Sequence, residues 1–250
     1  LTRSVRTTTG FDTIDITGRE DYIVHQPYRE LERVKRGTKF HPPAGFNWGT
    51  FWRNIRDELA EVETNLIVVH RINPFSPNTA LAAFFSRNRF SPSNMPLVVR
   101  EADQERAKAV CVMLNSALFF AYFFLLKEES TNRYINLRAY DLHEMTLYPP
   151  EAAIGSLARV FDAFARCKFP PLRQQFDENF DLHYDDYTGR QKGKGASLFA
   201  DLPVSPSTVR VDFDKAICKA LGFELSNGEL NELCRAITQE MIVTRALSVD

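Results

Sequence analysis

The chain is poor in the residues that usually advertise chemistry. Its four cysteines, Cys111, Cys167, Cys218 and Cys234, are scattered without a C-x-x-C pair. That excludes the common zinc and disulfide patterns and leaves small, reduced, buried thiols as the expectation, as in a cytoplasmic protein. The only G-x-G, Gly193-Lys194-Gly195, lies in a polar stretch with no strand before it, and no G-x-x-x-x-G-K phosphate loop is present. His143-Glu144 lacks the second histidine of a zinc-protease helix. No apolar segment follows the arginines and threonines of Leu1–Gly10, so no signal peptide is visible. Internal repeats are absent. Neither a catalytic residue nor a metal ligand is therefore predicted, and His183 with Asp185 and Asp186 is expected to be a solvated acidic turn.

Long apolar runs are also scarce, and the single exception organises the rest. From Ala109 to Leu126 no residue is charged, five aromatics crowd the second half, and Asn115 and Ser116 interrupt it. A segment apolar on every helical face must be buried in protein or in lipid. The run barely reaches the roughly 18 residues of a membrane span and contains two polar residues. Strand-like segments flank it closely, so a buried helix is expected and no membrane. Asp103 should cap it, with Glu105 in its first turn. A helix continuing to Lys127 would be about 37 Å long.

Around it the chain alternates. Leu66–Ile72 and Leu97–Arg100 read as strands, Arg133–Arg138 and Met145–Tyr148 as further ones, and residues 51–62 and 152–167 as amphipathic helices. Asn73–Asn78 and Arg87–Pro96 read as proline-punctuated loops. Asp185–Thr208, with three glycines, two prolines and Arg190, Lys192 and Lys194, suggests a linker or mobile loop. Two helices follow, over about 214–221 and 229–245. The expected fold is α/β (α+β): a curved mixed sheet around a buried central helix, with a helical C-terminal appendage. The expected division is 1–185, a connecting basic loop 186–208, and 209–250.

Charge is balanced overall at −1 but segregated. Thr64–Arg100 holds four arginines and no acid, and Arg29–Arg56 holds seven basic residues against Glu30 and Glu32. Asp177–Asp186 holds five acids and no lysine or arginine. One basic half is what a polyanion-binding protein requires. Arg71, Asn73, Ser76, Asn78 and Thr79 should lie at one strand end, and Arg87, Asn88, Arg89, Ser91, Ser93 and Asn94 in the next loop. Arginine forks onto guanine edges or phosphates and asparagine pairs with adenine, so these residue types suit groove recognition. Arg71, Arg87 and Arg89 are the leading candidate contacts, followed by Asn73, Asn78, Asn94, Arg133 and Arg138, with Lys192 and Lys194 in the basic loop.

Asn73-Pro74-Phe75-Ser76 touches on a known chemistry. Amino-group DNA methyltransferases carry an Asn/Asp-Pro-Pro-aromatic tetrapeptide after a strand, which holds a flipped base. Here the second proline is missing and Ser76 stands in the aromatic position, so a proline-terminated strand is an equal account.

A second pattern is more extensive. Leu114-Asn115-Ser116, an aromatic helix, the Arg133–Arg138 segment and Leu147–Pro150 together resemble the target-recognition domain of restriction-modification proteins. Such domains occur in adenine-specific DNA methyltransferases, fused restriction-methylases and type I specificity subunits. Asp214-Lys215-Ala216-Ile217 with Leu221-Gly222-Phe223 is similar to the helices closing many such chains. The resemblance covers about 66–150 plus this tail, through several short motifs. Pro149-Pro150 departs from the family's Pro-x-Pro strand end. The resemblance implies duplex DNA as partner, and a methyltransferase catalytic domain in the same chain or complex. It also implies S-adenosylmethionine as the parent enzyme's cofactor and none in this stretch, which is expected to be a C-terminal piece. The rival expectations are a protein–protein module working through the acidic, helical C-terminal half, and a complete but divergent methyltransferase.

Overall fold

The computed structural model describes residues 2–5, 7–23, 44–92, 97–99, 103–126, 135–137, 148–191 and 202–247. The expectations placed on Asn94, Arg133, Arg138, Lys192 and Lys194, and on the strand at 145–147, fall outside them. The strands are β1 (Thr2–Val5), β2 (Asp21–Ile23), β3 (Thr64–Val68), β4 (Arg71–Ile72), β5 (Ala83–Pro92), β6 (Leu97–Val99) and β7 (Ile135–Asn136). The helices are α1 (Trp48–Glu61), α2 (Gln104–Met113), α3 (Ala117–Leu126), α4 (Ile154–Phe164), α5 (Leu172–Phe176), α6 (Phe180–Gln191), α7 (Thr208–Ala220) and α8 (Asn227–Leu247). The fold is α/β.

Five strands form one mixed sheet in the order β2-β1-β5-β3-β6. Only β1 and β5 run parallel; the other pairs are antiparallel. β3 lies between β5 and β6 and is almost wholly buried, which is why its apolar run shows no two-residue alternation. The expected strand Leu66–Ile72 is in fact two. Beyond Val68 the chain turns out of the main sheet, and β4 pairs with β7 in a separate two-stranded ladder.

α2 packs on the sheet beneath α4. Phe85 of β5 meets Phe161 of α4 edge-to-face at 5.0 Å, and Lys108 of α2 bonds Asp162 of α4 at 2.7 Å while lying over the Phe161 ring. α3 continues the buried layer towards the C-terminal helices. Phe119 and Phe123 stack at 5.7 Å, and Phe120 meets Phe176 of α5. Phe213 of α7 touches Phe164 and Phe169. One hydrophobic cluster runs from Ile14 through the sheet and α3 to Ile242 of α8. The boundary expected at 209 therefore does not interrupt the core. Residues 186–191, expected in a linker, belong to α6.

The apolar run is buried, as its composition requires, but it is not one helix. α2 and α3 meet at 59°. Among the described residues no single helix is long and apolar enough to cross a membrane.

Candidate nucleic-acid interface and the buried junction behind it

The helix break is made by Leu114-Asn115-Ser116. The N–H groups of Asn115 and Ser116 bond the carbonyls of Val112 and Met113 in tight three-residue turns that end α2. Ser116 then caps α3, its Oγ accepting from the Phe119 N–H at 3.1 Å while donating to the Met113 carbonyl at 2.7 Å. The Asn115 amide acts as a strand partner. Its Oδ1 accepts from the N–H groups of Ala82 (2.8 Å) and Ala83 (3.2 Å), and its Nδ2 donates to the carbonyls of Ala83 (2.8 Å) and Cys111 (2.9 Å). These groups sit where β5 begins, so one side chain fastens the bend to the sheet. Both residues are buried, and their side chains bond backbone groups inside the core.

The junction is completed from the other end of the chain. Asp214 of α7 accepts from the Ala117 N–H at 2.8 Å, supplying the first donor of α3 with a carboxylate that also favours the helix dipole. Arg210, one turn earlier and fully buried, forks onto Asp214 through Nε (2.7 Å) and an NH2 nitrogen (2.9 Å). Its NH1 reaches the Asn115 carbonyl (2.8 Å) and Gln175 Oε1 (3.2 Å). Phe213, Phe176 and Phe169 surround the guanidinium. Burial pushes the Asp214 carboxyl above the usual carboxylate range, although Arg210 and the Ala117 N–H pull the other way. Arg210 carries no signal of its own in the sequence beyond an Arg-x-x-x-Asp spacing on an otherwise apolar helix face.

The candidate DNA contacts fall in two groups. Arg71 lies exposed on β4, and Asn73–Thr79 forms a compact turn just after it. There Asn73 Oδ1 accepts from the Phe75 N–H and Ser76 Oγ from the Asn78 N–H, the local bonds that make these residues turn formers. Phe75 stacks on Phe180 and its carbonyl takes a bond from Arg173. The aromatic of the tetrapeptide is thus part of the packing, with no ring set out to receive a base. Arg173 and Arg245 converge on Asp181 nearby. Burial alone would raise Asp181, but bonds from Arg245 and Arg173 outweigh it and hold the carboxyl below its usual range.

Arg87 and Arg89 lie elsewhere, and on a strand where a loop was expected. β5 runs through Arg87–Pro92 because β3 flanks it on one side and two N-terminal segments on the other. Asp15 bridges Phe85, while β1 pairs at Ser91 and Pro92. The strand is irregular where these partners change over. From Leu66↔Phe85 to Thr64↔Phe90, β5 fits three more residues than β3, and Ser86–Arg89 bulges outward. Arg71 thus stands beyond the C-terminal end of β3, and this bulge lies beside Asn65 near its N-terminal end. The six steps from Asn65 to Arg71 span at most about 20 Å, the length of a fully extended chain. Asn88 is half-buried and held by Glu20 (3.3 Å), and Arg89 donates to the Glu63 carbonyl (2.9 Å). The Arg87 side chain is exposed and makes no hydrogen bond or ion pair among the described residues.

Two further clusters complete the inventory. His183 Nδ1 lies 2.5 Å from Asp177 Oδ2, a buried carboxylate that also accepts from the N–H groups of Asn179 and Ser205. It knits the loop before α7 onto α6. Asp185 and Asp186 are exposed on that helix. Among the described residues no three histidine, cysteine, aspartate or glutamate side chains converge as a metal site would require. Cys234 is pushed up to about 12 by burial, and the same cause raises Cys111 and Cys218, which makes all three poor nucleophiles.

Comparison of the chain with known protein families, with curated proteins and with solved structures finds no match.

Proposed function

We propose that this protein is a duplex-DNA-binding specificity module that directs an adenine-specific methyltransferase of a restriction-modification system to its target. The observation that carries this is the junction. Leu114-Asn115-Ser116 and the segment beginning at Asp214 resemble separate motifs of target-recognition chains, and they meet through the Asp214–Ala117 bond and the Arg210–Asn115 bond. Motifs far apart in sequence thus act as one structural unit, which is what a shared origin would produce. The surface adds weaker support. Thr64–Arg100 is acid-free, and it presents arginine at both ends of β3. A separation of at most about 20 Å corresponds to no more than roughly six base-pair steps, within reach of one face of a duplex. S-adenosylmethionine and the transfer chemistry belong to a catalytic domain in the same chain or complex.

The test is titration of labelled mixed-sequence duplex at about 50 and 200 mM salt. Binding that weakens steeply with salt, and falls further in an Arg71→Ala, Arg87→Ala double variant, is expected. No binding at the lower salt overturns the proposal. In that event the acidic α6, with Leu182 exposed at 61%, makes a protein–protein module the next reading. Calorimetric titration with S-adenosylmethionine should give no heat of binding; measurable affinity would instead support a divergent methyltransferase.

A further inference from the structure

Glu20 is an acid whose carboxylate binds the arginine-bearing bulge directly, and it makes no ion pair there among the described residues. Its carboxylate Oε1 accepts from the Ser86 hydroxyl and from Asn88 Nδ2 (3.3 Å), and Oε2 from the Gly18 N–H (2.8 Å). The turn that brings it there needs Gly18 at φ 84°, a left-handed conformation that side-chain-bearing residues avoid. The Arg87 N–H donates to Thr17 Oγ1 (3.0 Å), and the Asn88 N–H to Ser86 Oγ (3.0 Å). The Arg87 carbonyl accepts from Asn65 Nδ2 (3.2 Å) and Gln104 Nε2 (3.2 Å), and the Ser86 carbonyl from Asn65 Nδ2 (2.8 Å). The bulge has lost its strand partners on both sides, and these side chains replace them. Every brace is spent on backbone or on neutral side chains. Among the described residues the exposed guanidinium of Arg87 takes part in no hydrogen bond or ion pair.

We propose that Glu20 is a positioning residue: it fixes the Ser86–Arg89 bulge so that Arg87 is presented to a backbone phosphate of duplex DNA. This rests on the DNA-binding reading above. A bulge re-aims a side chain out of the regular ladder, and a rigidly held arginine loses less freedom on binding than one on a free loop. An acid beside a polyanion site is otherwise a cost, so its presence is accounted for by the bonds it accepts.

The sign of one substitution separates a brace from a mere charge. Removing an acid near bound DNA should tighten binding if Glu20 contributes only its charge. If it is the brace, Glu20→Ala weakens binding by roughly tenfold, the scale of one charged hydrogen bond, and lowers the salt slope by about 1, as Arg87→Ala does. Glu20→Gln keeps the Oε1 acceptor for Ser86 and Asn88 while removing the charge, and should bind at least as tightly as the unaltered protein does. The Glu20→Ala, Arg87→Ala double variant should be no weaker than Arg87→Ala alone. Hydrogen exchange, read without DNA, should speed up at the amides of Arg87 and Asn88 in Glu20→Ala and not in Glu20→Gln. Unchanged exchange, or Glu20→Ala binding as tightly as the unaltered protein or more so, overturns the role of Glu20. Failure of the unaltered protein to bind any duplex at low salt overturns the DNA reading beneath it while leaving the exchange result to stand.

Discussion

The junction at Asn115 and the bulge at Arg87 are built by the same device and end in opposite states. In each, polar side chains replace backbone partners where regular structure stops. At the junction, Asn115, Ser116, Gln175, Arg210 and Asp214 are buried, and each side chain is consumed by another or by the main chain. Nothing is left to offer a ligand, and the low-dielectric surroundings make each bond costly to lose. At the bulge the bonds lie at or near the surface, the N–H and carbonyl of Arg87 are both bonded, and its guanidinium remains over. A saturated polar network is therefore a sign of architecture, and an unsaturated one held rigid is a better place to look for binding.

That contrast breaks most severely at Asp214. Asp214→Ala strands a buried guanidinium and leaves the Ala117 N–H unmet, so a loss of about 3–5 kcal/mol is expected from urea unfolding. Replacing Arg210 and Asp214 together by leucine should recover part of it, since no lone charge then remains. A double variant as unstable as the single one would show that packing, and not the charge, dominates. Asn115→Ala comes next. It leaves the Ala82 and Ala83 N–H groups and two carbonyls without their side-chain partner, and about 2–4 kcal/mol should be lost. Retention of full stability in that variant would mean that water replaces the amide.

Acid should release the bonds of Glu20 and Asp181 only below the usual carboxylate range. Glu20 is raised by burial but lowered more by Ser86, Asn88 and backbone N–H groups, and Asp181 is likewise held low by Arg245 and Arg173. Their folded values lie below the unfolded ones of about 4, so the unfolded chain binds more protons in that window. The stability they contribute is present above pH of about 4 and lost as the pH falls through their folded values. Melting temperatures measured downward from pH 5 should drop less in Glu20→Gln than in the unaltered protein. The smallest effect is expected at Arg87→Ala, whose stability should stay within about 0.5 kcal/mol even as DNA affinity falls. A larger loss would place Arg87 among the braces.

Several features could be read from residue order. The uncharged run had to be buried, Asp103 had to cap its start, and it does, its Oδ1 accepting from the Arg106 N–H at 2.8 Å. The apolar face of 154–164 and the strands at 66–68 and 97–99 follow from periodicity and β-branched composition. The bend at Ser116 did not, because its stabilising carboxylate arrives from Asp214, on a helix whose place in the core no local pattern reveals. Prolines made Arg87–Pro96 look like a loop, yet Pro92 ends β5 opposite Val5, where a missing N–H is tolerated. The acid-free stretch of the sequence is not acid-free in space, since Glu20 folds onto Ser86 and Asn88.

By itself, then, the order of residues determined which segments had to leave water and which ends of helices were capped, because burial and capping are settled by neighbours within a turn or a strand. The tertiary structure alone decided that the central run is two helices, and that Arg71 and Arg87 stand at opposite ends of β3. It also left the Arg87 side chain without a hydrogen bond or ion pair among the described residues. Each depends on a bond between residues tens of positions apart, and such a bond exists only once the chain has closed around its core.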